Sequence, residues 1–406
     1  MTDLPLTKIS ETTKTITLGW TPVACEGYEF LAGGVRVSNS WNSAQSQVRF
    51  SKVASGKYAV RALGVSAEGL YPPVAPPPPP GYPASYFTGP LGAANFVPKK
   101  PGAFLIENWG QPGKQWSDAQ AAIAARETFI GRKFDSIHIQ YWAGGSYLGV
   151  AGIDGADVNR HAEQWVHDRG QFPVITWAPP MTIDQVNQGA ADQVFGVAAD
   201  LWKAMPFTIM LRPFWEFDND AGFPWSCGHT ASIGAPFVAA WQRMVNIFKQ
   251  HGANNVGFFW NPLEGGDRAG VNQSYPGDAY VDWVGSDIYN GGDGNWNTPL
   301  HQGWASFQEC ALYPNPPGAS QYSLWSPKKP FVAGEVGCTP DARKGDWFRA
   351  IPAALKTAPN YCGISFFDQD VSGLEGPTAN WFVDTSTDSY AGFKQMALDP
   401  WLNTGT

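Results

Sequence analysis

The chain has 406 residues, 43% hydrophobic and only 15% charged, with a formal net charge of −8. That excludes a highly charged disordered chain, and a basic nucleic-acid footprint and a cationic membrane surface are both absent. No apolar window of ~18 residues exists, so no transmembrane helix is expected. The 19 Trp, 24 Phe and 14 Tyr leave two readings open. One is bulky core packing; the other is a sugar-binding cleft, where indole faces stack on pyranose rings.

The first ten residues, MTDLPLTKIS, lack an apolar signal core. The expected location is a virion or the extracellular space, reached without a standard signal peptide; a cytoplasmic one stays open. The five cysteines (Cys25, Cys227, Cys310, Cys338, Cys362) contain no C-x-x-C pair. No structural zinc is expected, and the odd count leaves at least one without an intramolecular disulfide.

Residues 8–70 alternate in strand fashion: TITLGW (15–20), GYEFLA (27–32), GVRVS (34–38), SQVRFS (46–51) and YAVRALGV (58–65). Short strands at ~8–12-residue spacing predict a small all-β sandwich over 1–70. Residues 71–83, YPPVAPPPPPGYP, favour polyproline II and read as a linker. Over 84–406 eight apolar runs recur, at 104–109, 136–142, 172–177, 207–216, 255–262, 281–290, 329–337 and 361–370. Continuous apolar runs suit parallel strands buried on both faces. Helical spacing lies between them, clearest at 236–251, which opens with Pro236 and closes at Gly252. Helical spacing also marks 156–169 and 190–204, and Ser117 with Gln120 reads as a capping box. Eight βα units predict a (β/α)8 TIM barrel. A doubly wound sheet is the alternative, but Asn108-Trp109-Gly110-Gln111 is no phosphate-binding turn.

In such a barrel the chemistry sits where strands end. The fourth run ends in Arg212-Pro213-Phe214-Trp215-Glu216 and the seventh in Gly334-Glu335-Val336-Gly337. A carboxylate among aromatics is costly unless used or paired. Two such Glu residues point to a retaining glycosidase, one protonating the leaving oxygen and the other attacking the anomeric carbon. Two structural ion pairs, with Arg212 as a partner, are the rival reading. Trp109, Trp142 and Trp177 end the first three runs, and Trp225 and Trp260 lie in or before the next loops; each either stacks on sugar or packs the core. Asn261 is a candidate hydroxyl partner, and Asp287 either bonds substrate or braces the rim. Asp278 and Asp282 read as turn and helix-end residues. The acidic string 218–222 is half a calcium loop whose twelfth position is His229 rather than Glu, so neither metal nor cofactor is expected.

The segments VITWAPP (174–180), LRPFWEFDND (211–220), VGFFWNP (256–262), YPGDAYVDWVGSDIYN (275–290), KPFVAGEVG (329–337) and KGDW (344–347) are similar to glycoside hydrolase family 26, in the retaining clan of (β/α)8 glycosidases. The resemblance implies Glu216 as acid/base and Glu335 as nucleophile, with Arg212 and Tyr289 bonding the nucleophile. It implies endo-β-1,4-mannan hydrolysis as the family's common activity. Two positions depart from the family. Trp215 stands where a His usually precedes the acid/base, and the eighth strand offers Phe366 and Asp368 where a Trp is often found. Both put the sugar in question more than the mechanism.

The Trp20 setting resembles fibronectin type III modules, and the run from Gly27 to Val65 looks like modules of actinobacterial phage minor tail proteins. That resemblance implies a tail-associated enzyme acting on a host envelope polysaccharide, with other virion tail proteins as partners. A biomass mannanase or β-glucanase and a non-catalytic carbohydrate-binding tail protein are the alternatives. No nucleic-acid partner and no membrane insertion are expected.

Overall fold

The computed structural model describes all residues except 1, 5, 12–13, 33–34, 41, 53–57, 64–66, 72–81, 92–95, 111–115, 142–161, 220–221, 229, 231, 264–267, 294–302, 313–319, 376–378 and 404–406. The chain divides into two compact units, Met1–Pro76 and Pro77–Thr406. Trp142, His161 and His229, and most of the proline run, lie outside the described residues. Among those described, no helix is long and apolar enough to cross a membrane.

The first unit holds β1 (Thr2–Asp3), β2 (Thr7–Glu11), β3 (Thr15–Gly19), β4 (Gly27–Ala32), β5 (Val35–Ser40), β6 (Gln47–Ser51), β7 (Tyr58–Leu63) and β8 (Ala67–Tyr71). They form a three-stranded sheet, β2-β3-β6, and a five-stranded sheet, β1-β8-β7-β4-β5. All pairings are antiparallel except β1 with β8. Alternation puts Ile16, Leu18, Tyr28, Phe30, Phe50 and Val60 into one core, as period-2 patterning requires.

The second unit is a closed parallel barrel of eight strands in sequence order. They are β9 (Phe104–Gly110), β10 (Ser136–Tyr141), β11 (Phe172–Trp177), β12 (Ile209–Pro213), β13 (Val256–Trp260), β14 (Trp283–Asn290), β15 (Phe331–Cys338) and β16 (Tyr361–Gln369). The predicted helix at 236–251 runs over Ala235–His251 and closes on Gly252 with left-handed φ. The capping-box expectation is corrected: Ser117 and Gln120 both lie inside the helix Trp116–Ile130.

The barrel interior is layered. Phe104, Val174, Met210, Phe259, Trp283 and Val332 fill the bottom, with Phe96 against them. Two residues further along each strand the inward position changes character, to Ile106 then Asn108, Thr176, Arg212, Asn261 and, past Gly285, Asp287. Since successive strand side chains alternate between faces, polar groups are gathered at the C-terminal mouth over an apolar plug.

The alternation breaks on β15 beside the mouth. Ser286 pairs with Ala333, but Asp287 pairs with Glu335, so Gly334 is an extra residue. Counting by twos from inward Val332 would send Glu335 outward. The one-residue bulge at Gly334 restores it to the interior beside Asp287. Only glycine fits there, since a Cβ would stand 2.0 Å from Asn261 Oδ1 and 2.8 Å from Asp287 Oδ1.

Candidate active site

Glu335 lies at the centre of the mouth and is 6% exposed. Its Oε1 accepts from Arg212 Nη1 at 2.6 Å and from Gln140 Nε2 at 3.0 Å; its Oε2 accepts from Tyr289 Oη at 2.6 Å. The other Arg212 nitrogen, Nη2, donates to Asp287 Oδ2, and Asp287 Oδ1 accepts from Asn261 Nδ2 at 3.0 Å. Burial works against the Arg212 charge, but the Asp287 and Glu335 carboxylates outweigh it and hold the guanidinium above its ordinary pKa. Burial, and then the Glu335 charge, raise the Tyr289 phenol, so it remains a donor.

Glu216 reaches the same spot from a strained turn. After β12 ends at Pro213, Phe214 and Glu216 take φ of 49° and 48°. Non-glycine residues avoid this region at a cost of roughly 1–3 kcal/mol each. The Glu216 N–H is anchored on the Asn261 carbonyl at 3.0 Å, and Asn219 Nδ2 donates to Glu216 Oε2 at 2.9 Å. One carboxyl oxygen each from Glu216, Asp287 and Glu335 lie within 4.8 Å of one another. Burial, and next the Glu335 charge, push the Glu216 carboxyl up to about 7. Asp287 is raised well above its ordinary value, chiefly by burial, against the pull of Arg212. Arg212 thus provides the positive charge for three acidic groups. A carboxyl raised toward neutrality, facing a carboxyl that accepts from three donors, is an arrangement that can supply an acid and a nucleophile. Retaining glycosidases hold such a pair ~5–5.5 Å apart and inverting ones ~6.5–9.5 Å; oxygens within 4.8 Å of one another fit the closer spacing.

Residues 170–306 match the family model of glycosyl hydrolase family 26. Over that segment the chain is similar to an enzyme family acting on O-glycosyl bonds with retention. The matched segment runs from β11 past β14 and contains Arg212, Glu216, Asn261, Asp287 and Tyr289; Glu335 follows it. The chain is 27% identical over 294 residues to endoglucanase H of Acetivibrio thermocellus, covering 68% of this chain and 29% of that protein. It therefore spans less than a third of that relative's length. Among solved structures, a Bacillus subtilis mannanase superposes at TM-score 0.53 and 15% identity, over 82% of this chain and 96% of that one. A Bacteroides ovatus β-mannanase gives 0.53 at 14%, over 78% and 93%. A modular Cellulomonas fimi endo-β-1,4-mannanase gives 0.52 at 15%, over 75% and 73%. At these identities the structural likeness is one of fold.

Several sequence candidates are placed elsewhere, and strand parity explains most of them. Trp177 follows inward Thr176, so it faces the helices, against Phe195 and Trp202. Trp260 precedes inward Asn261 and packs on Phe217, Tyr275 and Trp325. Phe366 packs on Phe348 and Phe393. Asp368 is spent on Arg126 and the Val383 N–H. Trp225 is fully buried beneath Trp215, donating its indole N–H to the Trp215 carbonyl at 3.0 Å. The stacking role is therefore corrected to packing for Trp177, Trp225 and Trp260, and a substrate-binding role to packing for Phe366 and to an ion pair for Asp368. Trp215 is 4% exposed, with its ring 4.4 Å from that of Trp225. Trp109 is half-buried and lines a surface depression with Arg126, Phe382 and Tyr390, outside the barrel mouth. Asp287 and Asn261 lie beside Glu216 and Glu335, where they brace Arg212 and the Glu216 turn. Asp282 accepts from the Leu91 and Phe258 N–H groups, a structural role.

The residues missed in the sequence are Gln140 and Asn219. Inward parity on β10, continuing from Ser136 and His138, marks Gln140. Nothing local marks Asn219.

Proposed function

We propose that this chain is a retaining endo-glycosidase that cuts a β-linked polysaccharide by double displacement. The observation that carries this is Glu335 held by Arg212, Gln140 and Tyr289, with the raised carboxyl of Glu216 within 4.8 Å. Glu216 gives its proton to the leaving oxygen while Glu335 attacks the anomeric carbon. Water, deprotonated by Glu216, then releases the sugar from Glu335. Asp287 holds Arg212 in place, and no cofactor enters the scheme.

A β-mannan or β-glucan backbone is the proposed substrate class. It is supported by the mannanase and endoglucanase names of the relatives, while Trp215 beside the acid leaves the choice of sugar to experiment. The N-terminal unit is proposed to mount the enzyme on a phage tail for attack on a host envelope polysaccharide. Its three- and five-stranded sheets support the fibronectin type III reading, and the tail role rests on sequence resemblance.

The test is release of reducing ends from β-mannan, mixed-linkage glucan, xylan, galactan and actinobacterial arabinogalactan, with Glu335→Gln as control. Proton NMR of the first product must show the anomer of the substrate linkage. First formation of the opposite anomer, or no cleavage of any polymer, would overturn the reading.

A further inference from the structure

Three amides and one imidazole lie in a chain behind Glu335, and their directions are fixed from one end. A carboxylate only accepts hydrogen bonds. The Gln140 group facing Glu335 Oε1 is therefore its Nε2, and its Oε1 faces away. That oxygen accepts from Gln369 Nε2 at 3.1 Å, and the same nitrogen donates to Asn108 Oδ1 at 3.0 Å. Asn108 is left to present Nδ2 to His138 Nδ1 at 3.3 Å, so His138 carries its proton on Nε2, toward Thr176 Oγ1 at 2.5 Å. Burial, with the Arg212 charge second, drives the His138 pKa well below its ordinary value, consistent with a neutral ring. Gln140 therefore has one orientation, set by Gln369.

The two oxygens of Glu335 are unequal as a result. Oε1 receives two donors, Arg212 and Gln140, which fill its two in-plane lone pairs. Among the described residues Oε2 receives one, from Tyr289. We propose that Gln140 is a positioning residue that reserves Oε2 as the attacking atom and speeds release of the sugar from the enzyme.

This rests on the retaining-glycosidase reading. In the first step the Oε2–C1 bond forms as the C1–O bond to the leaving group breaks. The electron pair goes to the leaving oxygen, which takes the Glu216 proton. Oε1 becomes the ester carbonyl and loses negative charge. In the second step the water oxygen bonds C1 as C1–Oε2 breaks. The pair returns to the carboxylate and the water proton goes to Glu216. Charge grows on Oε1 in this second step alone. A donor on Oε1 therefore favours the carboxylate over the ester, and helps deglycosylation more than glycosylation.

Gln140→Met removes the donor and keeps the bulk. Gln369→Met leaves Gln140 in place but frees it to turn. Both are compared with the parent on dinitrophenyl β-mannobioside, β-cellobioside and β-xylobioside, whose good leaving group makes deglycosylation rate-limiting. We expect kcat of Gln140→Met to fall roughly tenfold, with KM falling alongside and kcat/KM within about threefold of parent. Intact-protein mass spectrometry should show a glycosyl adduct on Gln140→Met at steady state, and Gln369→Met should shift the same way by less. A fall in kcat/KM at unchanged KM would reveal mere misplacement of Glu335 and overturn the role, as would unchanged kcat. A parent that turns over none of the three and cleaves no polymer would overturn the glycosidase reading and this role with it. An active parent with unaffected variants would overturn this role alone.

Discussion

Asn219 grips Glu216 twice: its Nδ2 donates to Glu216 Oε2 and its backbone N–H to the Glu216 carbonyl, both at 2.9 Å. The side-chain bond favours the charged carboxyl and opposes the burial that raises it to about 7. Removing that donor in Asn219→Ala raises the carboxyl further, so the acid form survives to higher pH. The basic limb of kcat/KM on the polysaccharide should move to higher pH, while the acid limb stays. An unmoved basic limb would deny Asn219 any part in setting the acid.

The two glutamates should separate by substrate. Glu335→Gln should abolish turnover of polymer and aryl glycoside alike, since no other group is placed to attack. Glu216→Ala should cost roughly 10²–10⁴-fold on polysaccharide and far less in the first step on a dinitrophenyl glycoside, whose leaving group needs no proton. Initial rates on the two substrate types measure this, and equal losses on both would reverse the assignment.

A raised carboxyl is also a statement about stability. In the unfolded chain Glu216 ionises near its ordinary value of 4.5; in the folded protein it ionises near 7. Below 4.5 both states are protonated and the group costs nothing. Between 4.5 and 7 the folded state binds more protons, so its stability falls as pH rises, and above 7 the whole cost is present. Glu216→Gln should therefore be more stable than the parent at pH 8, on the order of 2 kcal/mol after discounting for partial exposure. The advantage should vanish toward pH 4. Thermal melts of both proteins across that range give the difference directly.

Gly334→Ala should lower Tm and cut activity together. Its Cβ would meet Asn261 Oδ1 at 2.0 Å, and Asn261 holds both Asp287 and the Glu216 backbone. Overpacking of this kind costs roughly 1–3 kcal/mol. Melting plus kcat of the single variant tests it, and full activity would show that the bulge can relax without moving the pair.

The barrel was legible because each strand is a continuous apolar run, and the run 172–177 coincides with β11. The two glutamates that meet at the mouth, Glu216 and Glu335, were legible as carboxylates at strand ends. The surrounding residues were read less well because position along a strand was weighed without the face. Thr176 and Trp177 are neighbours at one strand end, yet only Thr176 points into the barrel. Counting by twos along the inward face, from Ser136 and His138 on β10, Val174 on β11 and Gly363 and Ser365 on β16, would have nominated Gln140 and dismissed Trp177, Phe366 and Asp368. The same count fails at Glu335, because a bulge depends on the partner strand and leaves no mark in a single segment beyond Gly334 itself. Asn219 depends on two left-handed residues in an aromatic loop, a conformation that local propensity disfavours.

The apolar plug beneath the mouth has a practical corollary. Phe104, Val174, Met210, Phe259, Trp283 and Val332 hold up the floor of the barrel, while every group assigned to the chemistry stands above them. Packing of the floor and chemistry at the mouth thus rest on separate residue sets. A library that redesigns the lower set could be screened for residual structure after heating alone, and a second library at the mouth for sugar preference, with the winners combined afterwards at little risk of mutual interference.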